Sequence, residues 1–142
     1  MARLAPWRCA ACGFEQARPI AQLRAATLAF YDDARFPGRA VLVLDEHATL
    51  IEDLPLETAR DLALDVRQAA AAIRAASGAR RINYAAFGNV VPHVHVHLIP
   101  IDAIGDLNFA NADPSPRPEA LDAAADRIRR ALRELGYRAV SD

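Results

Sequence analysis

The chain has 142 residues and a formal net charge of -1, from 17 basic and 18 acidic side chains. This length predicts a single domain with one hydrophobic core, residues 1–142. The near-neutral charge excludes a general electrostatic attraction to nucleic acid or to an anionic membrane, so any binding of phosphate must be local. No apolar run approaches the roughly 18 residues that span a bilayer, and the first residues lack the apolar core of a signal peptide, so we expect a cytoplasmic protein.

The only two cysteines form a CxxC pattern near the start of the chain, at Cys9 and Cys12, and Gly13 follows them. Two intervening residues let both thiolates reach one metal ion, and the glycine relaxes the backbone behind them. The pattern predicts a zinc-binding turn in an N-terminal segment, residues 1–20, which needs two more ligands from elsewhere in the chain. The alternative is a thioredoxin-like redox pair, but the sequence lacks the βαβ context that such a pair requires.

The next predicted elements are a hairpin and a long helix. Residues 24–31 and 39–44 are β-compatible runs separated by Asp-Asp and Pro-Gly turn residues, which indicates two antiparallel strands. Residues 56–76 are rich in alanine and carry apolar side chains at helical spacing, and Gly78 follows as a stop signal. We therefore expect a long helix after the hairpin.

Two more strands and a second helix complete the predicted elements. Residues 81–87 and 93–101 are typical of strands, joined by a short turn around Gly88 and Asn89. Residues 102–142 predict a polar, proline-containing loop followed by a helix that begins near Pro118 and ends at Gly136. The spacing of apolar residues predicts that this helix buries one face, formed by Leu121, Ala125, Ile128, Leu132 and Leu135.

Three of the four histidines alternate with valines in the last predicted strand, at His93, His95 and His97. Side chains two residues apart share one face of a strand, so the pattern places three imidazoles on one surface and the valines in the core. Packing alone does not require histidine at three such positions. The array is therefore a candidate catalytic site.

Two chemistries can use such an array. In one, the imidazoles chelate a catalytic metal ion that activates water. In the other, one imidazole attacks phosphorus while its neighbours hold the phosphate oxygens. A rise of about 3.3 Å per residue separates the outer two Cα atoms by about 13 Å, so one metal bound by all three histidines would need a bent strand.

The segment GNVVPHVHVHLIP, residues 88–100, resembles the signature of the histidine-triad nucleotide hydrolases and transferases. The upstream order is similar too: a strand ending in AFYDD, a proline-glycine turn, the strand RAVLVL, His47 and a long helix. The resemblance runs from Cys9 to Ile101. It implies an α+β fold, with an antiparallel sheet of about five strands and two main helices, commonly assembled as a homodimer.

The resemblance also implies catalytic roles. The middle histidine of the motif is the nucleophile in this family, so His95 would form a covalent nucleotidyl-histidine intermediate. Its attack needs a neutral Nε2, with the other ring nitrogen donating a hydrogen bond to a group such as a backbone carbonyl. His97 would contact the phosphate or the leaving group.

Three further residues match positions that contact the substrate in this family. Asp32 matches the acidic or amide residue that binds ribose hydroxyls, with Asp33 as an alternative register. Asn89 stands where many members place a glutamine that binds phosphate. Asn83 matches another polar contact with the substrate.

A structural zinc site is the remaining implication. Triad relatives with an N-terminal CxxC, and the galactose-1-phosphate uridylyltransferases, carry a Cys₂His₂ set that matches Cys9, Cys12, His47 and His93. Such a closed shell has no open coordination position, so zinc would stabilise and align the strand and would not activate water. The triad would then divide into two sites, with His93 turned towards zinc and the other two histidines facing phosphate.

Two departures from the family pattern bear on specificity. Ile101 and Asp102 follow the triad strand where many members carry an arginine after the proline, so we expect that cationic phosphate contact to be missing. Before His47, acidic residues replace the usual basic ones, which makes a highly anionic polyphosphate a less natural ligand at that edge.

The leading hypothesis is a zinc-containing hydrolase or nucleotidyltransferase that acts on a purine nucleoside phosphate, with dinucleoside polyphosphate hydrolysis as the first specific candidate. Nucleotidyl transfer to phosphate or to a sugar phosphate shares the same intermediate. The rivals from other classes are a nucleotide-binding or regulatory protein with negligible turnover, and a metal-dependent hydrolase that uses the three alternating histidines as ligands.

Overall fold

The computed structural model describes residues 5–102 and 118–136. Its strands are β1 (Trp7–Arg8), β2 (Glu15–Gln16), β3 (Pro19–Gln22), β4 (Ala26–Phe30), β5 (Ala40–Leu44), β6 (Ile82–Ala85) and β7 (His95–Pro100). The helices are α1 (Leu56–Ser77) and α2 (Pro118–Glu134), with a short 3-10 helix at Ile51–Asp53. One antiparallel sheet of five strands has the order β3-β4-β5-β7-β6, and β1 pairs with β2 separately. The predicted α+β fold, with a five-stranded antiparallel sheet and two main helices, is confirmed.

The β4–β5 hairpin forms the middle of the sheet and matches the predicted pair of strands. Its register runs from Ala26 opposite Leu44 to Phe30 opposite Ala40, and every residue of both strands is buried. Strand β3 was not predicted. It opens with Pro19 and pairs with β4 through a bulge, so its extended conformation depends on that pairing and not on a β-branched sequence.

The two faces of the sheet have different coverings. On one face, apolar side chains of the strands, such as Leu28 and Leu98, pack against α1 and α2 in the main core. On the other face a smaller cluster contains Val41 and Val43. These two valines lie opposite His97 and His95 in the register of β5 and β7. Both histidines therefore project from the face of the sheet that the helices leave uncovered.

Strand β7 begins at His95, two residues later than predicted. His93 and Val94 instead adjoin the segment after β5, where the Val94 N–H donates a hydrogen bond to the carbonyl of Ala48 at 2.8 Å. His93 is completely buried, whereas His95 and His97 are partly exposed. His93 nevertheless lies on the same side of the sheet as His95, since Val94 packs in the main core with Val96 and Leu98 and the Phe14 ring contacts both histidines. The period-two expectation of three imidazoles on one surface is therefore confirmed, with His93 buried more deeply than the other two.

Helix α1 is attached to the sheet by a buried carboxylate. Asp65 is fully buried and accepts hydrogen bonds from the backbone N–H groups of Arg24, Ala25 and Ala26, at 3.0, 2.8 and 3.1 Å. The helix ends at the predicted Gly78, which adopts a φ of 73° that favours glycine.

Helix α2 packs on the same face of the sheet as α1. Ala125, Ile128 and Leu132 are buried as predicted, and Leu121 is partly buried against the core. The prediction was wrong for Leu135, which is 47% exposed because the helix ends at Glu134 and the chain turns away. Within the described residues, neither helix is long and apolar enough to cross a membrane. The predicted loop lies outside the described residues except for its two ends, at positions 102 and 118.

Candidate functional site

The two cysteines lie in the tight turn that connects β1 and β2. The Gly13 N–H donates to the carbonyl of Cys9 and the Cys9 N–H to the carbonyl of Phe14, both at 2.8 Å. Gly13 has a φ of 74°, a conformation that side chains other than glycine rarely adopt. The turn therefore holds Cys9 and Cys12 beside each other, with both sulfurs directed at two histidines from distant parts of the chain.

Those histidines are His47, from the segment after β5, and His93. One ligand atom from each of the four residues lies within 4.8 Å of all the others. The Cys9 Sγ to His47 Nδ1 distance is 3.7 Å, Cys12 Sγ to His93 Nδ1 is 3.5 Å, and the two Nδ1 atoms are 3.2 Å apart. Tetrahedral zinc with ordinary bond lengths places neighbouring ligand atoms about 3.3 to 3.8 Å apart. The predicted ligand set therefore fits a zinc ion.

The tautomer of His93 also fits a metal ion. Its Nε2–H donates to the carbonyl of Leu44 at 2.7 Å, which leaves an unprotonated Nδ1 facing His47. Burial lowers the pKa of His93, and charge on His47 and His95 lowers it further, so the neutral ring is favoured. Two ring nitrogens 3.2 Å apart need a proton or a metal ion between them. A carbonyl behind the ligating ring is the usual support for a metal-bound histidine.

Cys9 is the more protected of the two thiols. Its burial opposes ionisation, but hydrogen bonds from the backbone of Cys12 and Ala11 and from the Cys12 side chain outweigh this effect and lower the pKa of Cys9. A lowered pKa favours the thiolate, which is the form that binds metal.

Aromatic rings join this cluster to the triad. Trp7 and Phe14 lie on either side of the β1–β2 turn, and their ring centroids are 5.4 and 5.6 Å from that of His93. Phe14 also contacts His95, with 5.2 Å between ring centroids. The N-terminal hairpin therefore packs directly against the central histidine of the motif.

His95 has one ring nitrogen occupied by the backbone. Its Nδ1–H donates to the carbonyl of His93 at 2.6 Å, so the Nε2 of the neutral ring keeps its lone pair. The His97 ring lies beside it, with 5.3 Å between centroids. A neutral, partly exposed imidazole with a free Nε2 can act as a nucleophile or as a base.

His97 lies between an aromatic ring and a guanidinium. The Tyr31 ring packs edge-on at 4.9 Å between centroids, and Arg39 Nη2 is 3.4 Å from the Nδ1 of His97. Burial, followed by the positive charge of Arg39 and then by His95, lowers the pKa of His97 to about 4. The His97 ring is therefore neutral at physiological pH.

Arg39 is the residue that sequence reasoning missed. It is 2% exposed and forms a salt bridge with the buried Asp33 at 2.8 Å. The expected absence concerned an arginine after the triad strand, where the chain has Ile101 and Asp102; the structure instead places a guanidinium beside His97 from the start of β5. An arginine directly before a fully apolar strand, after a proline-glycine turn, was the signal that could have identified it.

The HIT domain family model matches residues 17–104, which is more than half of the chain. The chain belongs to the HIT family.

Several solved HIT structures are similar to it. A histidine triad protein from Sinorhizobium meliloti 1021 is 30% identical, with a TM-score of 0.71 over 80% of this chain and 87% of that chain. One from Bradyrhizobium japonicum is 23% identical, with a TM-score of 0.68 and coverage of 80% and 89%. A zinc-bound member from Mycobacterium smegmatis is 23% identical, with a TM-score of 0.63 and coverage of 83% and 85%, and this level of identity shows the shared fold alone.

The resemblance to the HIT family gave Asp32 and Asp33 as alternative residues for binding ribose. The structure places their two carboxylates in different surroundings. Asp33 is buried and its carboxylate is bound by Arg35 and Arg39, each at 2.8 Å. Asp32 is partly exposed; its Oδ1 lies 3.8 Å from Arg18 and has no hydrogen-bond partner among the described residues. Asp33 is therefore held by two guanidinium groups at hydrogen-bond distance, whereas Asp32 has, in the part of the chain that the structure describes, only the longer ion pair with Arg18.

The two candidate asparagines lie in different parts of the fold. Asn83 is opposite Ile99 and Ala85 is opposite His97, so Asn83 lies on the same face of the sheet as His97. Asn89 is exposed in the connection between β6 and β7. The structure therefore places Asn83 on the triad face of the sheet and Asn89 in the loop that leads to the triad.

Proposed function

We propose that this HIT protein cleaves a nucleoside phosphate through a covalent intermediate on His95. The hydrogen bond from His95 Nδ1 to the carbonyl of His93 carries the proposal, because it leaves a lone pair on Nε2 of a partly exposed ring, on the face of the sheet opposite the helices. Membership of the HIT family supports nucleotide chemistry in general. His97, next to this nucleophile, supplies a hydrogen-bond donor for the phosphate oxygens or the leaving group.

The reaction has two displacements at phosphorus. In the first, the lone pair of His95 Nε2 forms a bond to the α-phosphorus, and the bond from phosphorus to the leaving group breaks with its electron pair. In the second, water attacks the same phosphorus, the P–N bond breaks, and the released proton passes to solvent. Neutral His95 is regenerated, and the product is a nucleoside monophosphate.

We propose that Cys9, Cys12, His47 and His93 hold a structural zinc ion, whose chemistry is to cross-link the N-terminal hairpin to the triad strand. Four protein ligands leave no position for water. Free thiolates require a reducing compartment, which is consistent with the cytosol as the proposed location. Cys9→Ser should lose the metal and lower the melting temperature, as measured by elemental analysis and calorimetry. Protein that contains no zinc when purified without chelators would contradict the proposal.

The proposed contacts with the substrate follow the same face of the sheet. Asp32, whose Oδ1 accepts no hydrogen bond among the described residues, is proposed to bind the ribose hydroxyls. Asn83 and Asn89 are proposed as polar contacts to the phosphate side. Dinucleoside polyphosphates are the first candidate substrates, and transfer of the nucleotidyl group to phosphate or a sugar phosphate is the alternative outcome of the same intermediate.

The test is a screen of adenylated and guanylated substrates with the zinc-loaded protein, with and without inorganic phosphate as acceptor. Wild type should turn over at least one substrate, and samples quenched in alkaline denaturant, in which the P–N bond is stable, should carry label on His95. The variant His95→Ala should lose turnover by about 10³-fold or more. Zinc content is the control for folding, since His95 is not in the metal cluster. Equal turnover by His95→Ala would overturn the mechanism, and tight nucleotide binding without turnover would favour a binding protein.

We further propose a homodimer formed through β6. The sheet has two edges, and β3 is covered by α2, whose Arg129 donates from Nε to the carbonyl of Ile20 at 2.8 Å. At the other edge, Tyr84 in β6 is 57% exposed, and nearby Phe87 is 60% exposed. Unpaired edge strands with exposed aromatic residues are common sites of association.

A further inference from the structure

Arg39 has more contacts inside the site than a simple ion pair requires. Its Nη1 donates to Asp33 Oδ2 at 2.8 Å, and its guanidinium carbon lies 4.0 Å from the centroid of the Tyr31 ring. Nη2 lies 3.4 Å from His97 Nδ1. The Nε atom is buried and has no hydrogen-bond partner among the described residues. The guanidinium is therefore fixed on three sides, against a carboxylate, an aromatic face and the triad.

The contact with His97 determines the tautomer of that ring. A guanidinium has N–H donors only and no acceptor, so the His97 Nδ1 that faces it must carry a lone pair. The proton of the neutral ring then lies on Nε2. His95 and His97 therefore have opposite tautomers, since the Nδ1 of His95 donates to a backbone carbonyl.

Arg39 shares its carboxylate partner, since Asp33 is bound by both Arg35 and Arg39. Buried cations of this kind are stabilised by a nearby anion. The phosphate group of the proposed substrate, bound at His95 and His97, would supply one.

We propose that Arg39 is a positioning residue that holds His97 as a neutral Nε2–H donor, and that the site thereby selects substrates whose leaving group departs as an anion. This inference rests on the proposed function and deepens it. A neutral His97 donates a hydrogen bond but has no extra proton to transfer. A phosphate leaving group departs with its electron pair and needs no proton, whereas an amine leaving group must be protonated as the P–N bond breaks. The predicted substrate class is therefore a nucleoside phosphoanhydride and not a phosphoramidate.

The lowered pKa of His97 also supports a neutral ring at this position. Burial first, and then the charges on Arg39 and His95, disfavour the protonated form of His97, so its pKa is about 4. The groups that contact the His97 ring are Tyr31 at the end of β4, Arg39 at the start of β5 and His95 on β7. No carboxylate among the described residues is within salt-bridge distance of His97 to raise its pKa.

The direct test measures the tautomer and the pKa of His97 and does not require catalytic turnover. Long-range ¹H–¹⁵N spectra of the zinc-loaded protein report the tautomer and the titration of each histidine. Wild type should show the Nε2–H tautomer at His97 and no protonation near neutral pH. Arg39→Met should mix the tautomers and raise the His97 pKa by about one unit or more, because it removes a cation at contact distance. The matched control is Arg74→Met, since Arg74 is exposed on α1.

An unchanged tautomer and titration in Arg39→Met would overturn the positioning role. If Arg39→Met does not fold, as judged by zinc content and spectral dispersion, Arg39→Lys tests the tautomer alone. It keeps the charge but loses the planar fork, so we expect the low pKa to persist while the preference for the Nε2–H tautomer weakens. An unchanged tautomer of His97 in Arg39→Lys would contradict the proposal.

The selectivity is tested on matched substrates with the same nucleoside, one with a diphosphate and one with an alkylamine as the leaving group. Wild type should favour the phosphoanhydride in kcat/KM by about 10²-fold or more, and Arg39→Met should reduce this preference mainly through kcat. Faster cleavage of the phosphoramidate by wild type would refute the selectivity. Absence of turnover on both, with the His97 tautomer as predicted, would refute the proposed catalytic function and leave the positioning role standing.

Discussion

Each triad histidine has one ring nitrogen occupied by the protein, and that contact determines the use of the other. His93 donates from Nε2 to the carbonyl of Leu44, so its Nδ1 keeps a lone pair for the proposed metal ion. His95 donates from Nδ1 to a carbonyl, so its Nε2 keeps a lone pair for the proposed attack on phosphorus. His97 receives a guanidinium at Nδ1, so its Nε2–H is a donor. The same side chain thus serves three purposes, because its neighbours fix three different arrangements of one proton.

The lowered pKa of His97 should also make the folded protein less stable in mild acid. The pKa of His97 is lowered to about 4 by burial, by Arg39 and by His95, whereas an unfolded histidine titrates near 6.5. Between these two values the unfolded chain binds the proton and the folded chain does not, so stability falls as the pH drops through this window and is fully present above it. We expect a contribution of about 2 kcal/mol after allowing for partial exposure of the ring.

The measurement is urea unfolding of the wild type and of His97→Asn at about pH 7 and about pH 5. The variant lacks the titrating group and should lose less stability on acidification than the wild type. Release of zinc in acid affects both proteins and cancels in the comparison. Equal losses of unfolding free energy in the two proteins would show that the pKa of His97 is not lowered in the folded protein.

At the scale of elements, the sequence predicts the helices and strands that carry a long apolar pattern. It misses the elements whose conformation depends on contacts with distant residues. The α1 helix, the β4–β5 hairpin and the triad strand each contain a repeating apolar pattern that local reasoning can detect. The two-residue strands β1 and β2 have no such pattern, and a hairpin of this size is not stable by itself. Its ring contacts with His93 and its fit to zinc come from residues far apart in the chain. The same holds for Arg39, whose role depends on pairing between β5 and β7.

The attachment of α1 to the β3–β4 turn is a second long-range contact, and it supplies a stability prediction. Asp65→Ala would leave the N–H groups of Arg24, Ala25 and Ala26 without their acceptor at a buried position. We expect a loss of about 2–4 kcal/mol in the free energy of unfolding. Asp65→Asn keeps one acceptor oxygen and should lose less.

Chemical denaturation at neutral pH measures this effect, with Asp61→Ala as the control. Asp61 lies one turn earlier on the same helix and is partly exposed, so its removal should change stability by less than about 0.5 kcal/mol. Similar losses for the two alanine variants would mean that the three hydrogen bonds contribute little. Zinc content should be normal in both, since Asp65 lies in the main core and outside the metal cluster.

At the scale of the whole molecule, β6 is an edge of the sheet whose outer side pairs with no strand among the described residues, and the charge beside that edge affects how two copies can associate. A groove along α1 and β6 is lined by four arginines, Arg67, Arg74, Arg80 and Arg81, and by no carboxylate. In a two-fold dimer each copy presents the same surface, so pairing at this edge brings arginines of both copies close together. Repulsion between them opposes assembly, whereas the exposed Tyr84 favours it.

The proposed homodimer should therefore become tighter as salt is added, which is the opposite of the behaviour of an interface held by ion pairs. Sedimentation velocity at about 50 mM and about 500 mM sodium chloride should show a lower dissociation constant at high salt, because a shorter Debye length screens the arginines. Arg81→Glu should strengthen the dimer at low salt, since each copy then presents a carboxylate to the arginines of the other. Tyr84→Ser should weaken it at both salt concentrations. A protein that is monomeric at every concentration, or a dimer that dissociates on adding salt, would show that β6 is not the interface.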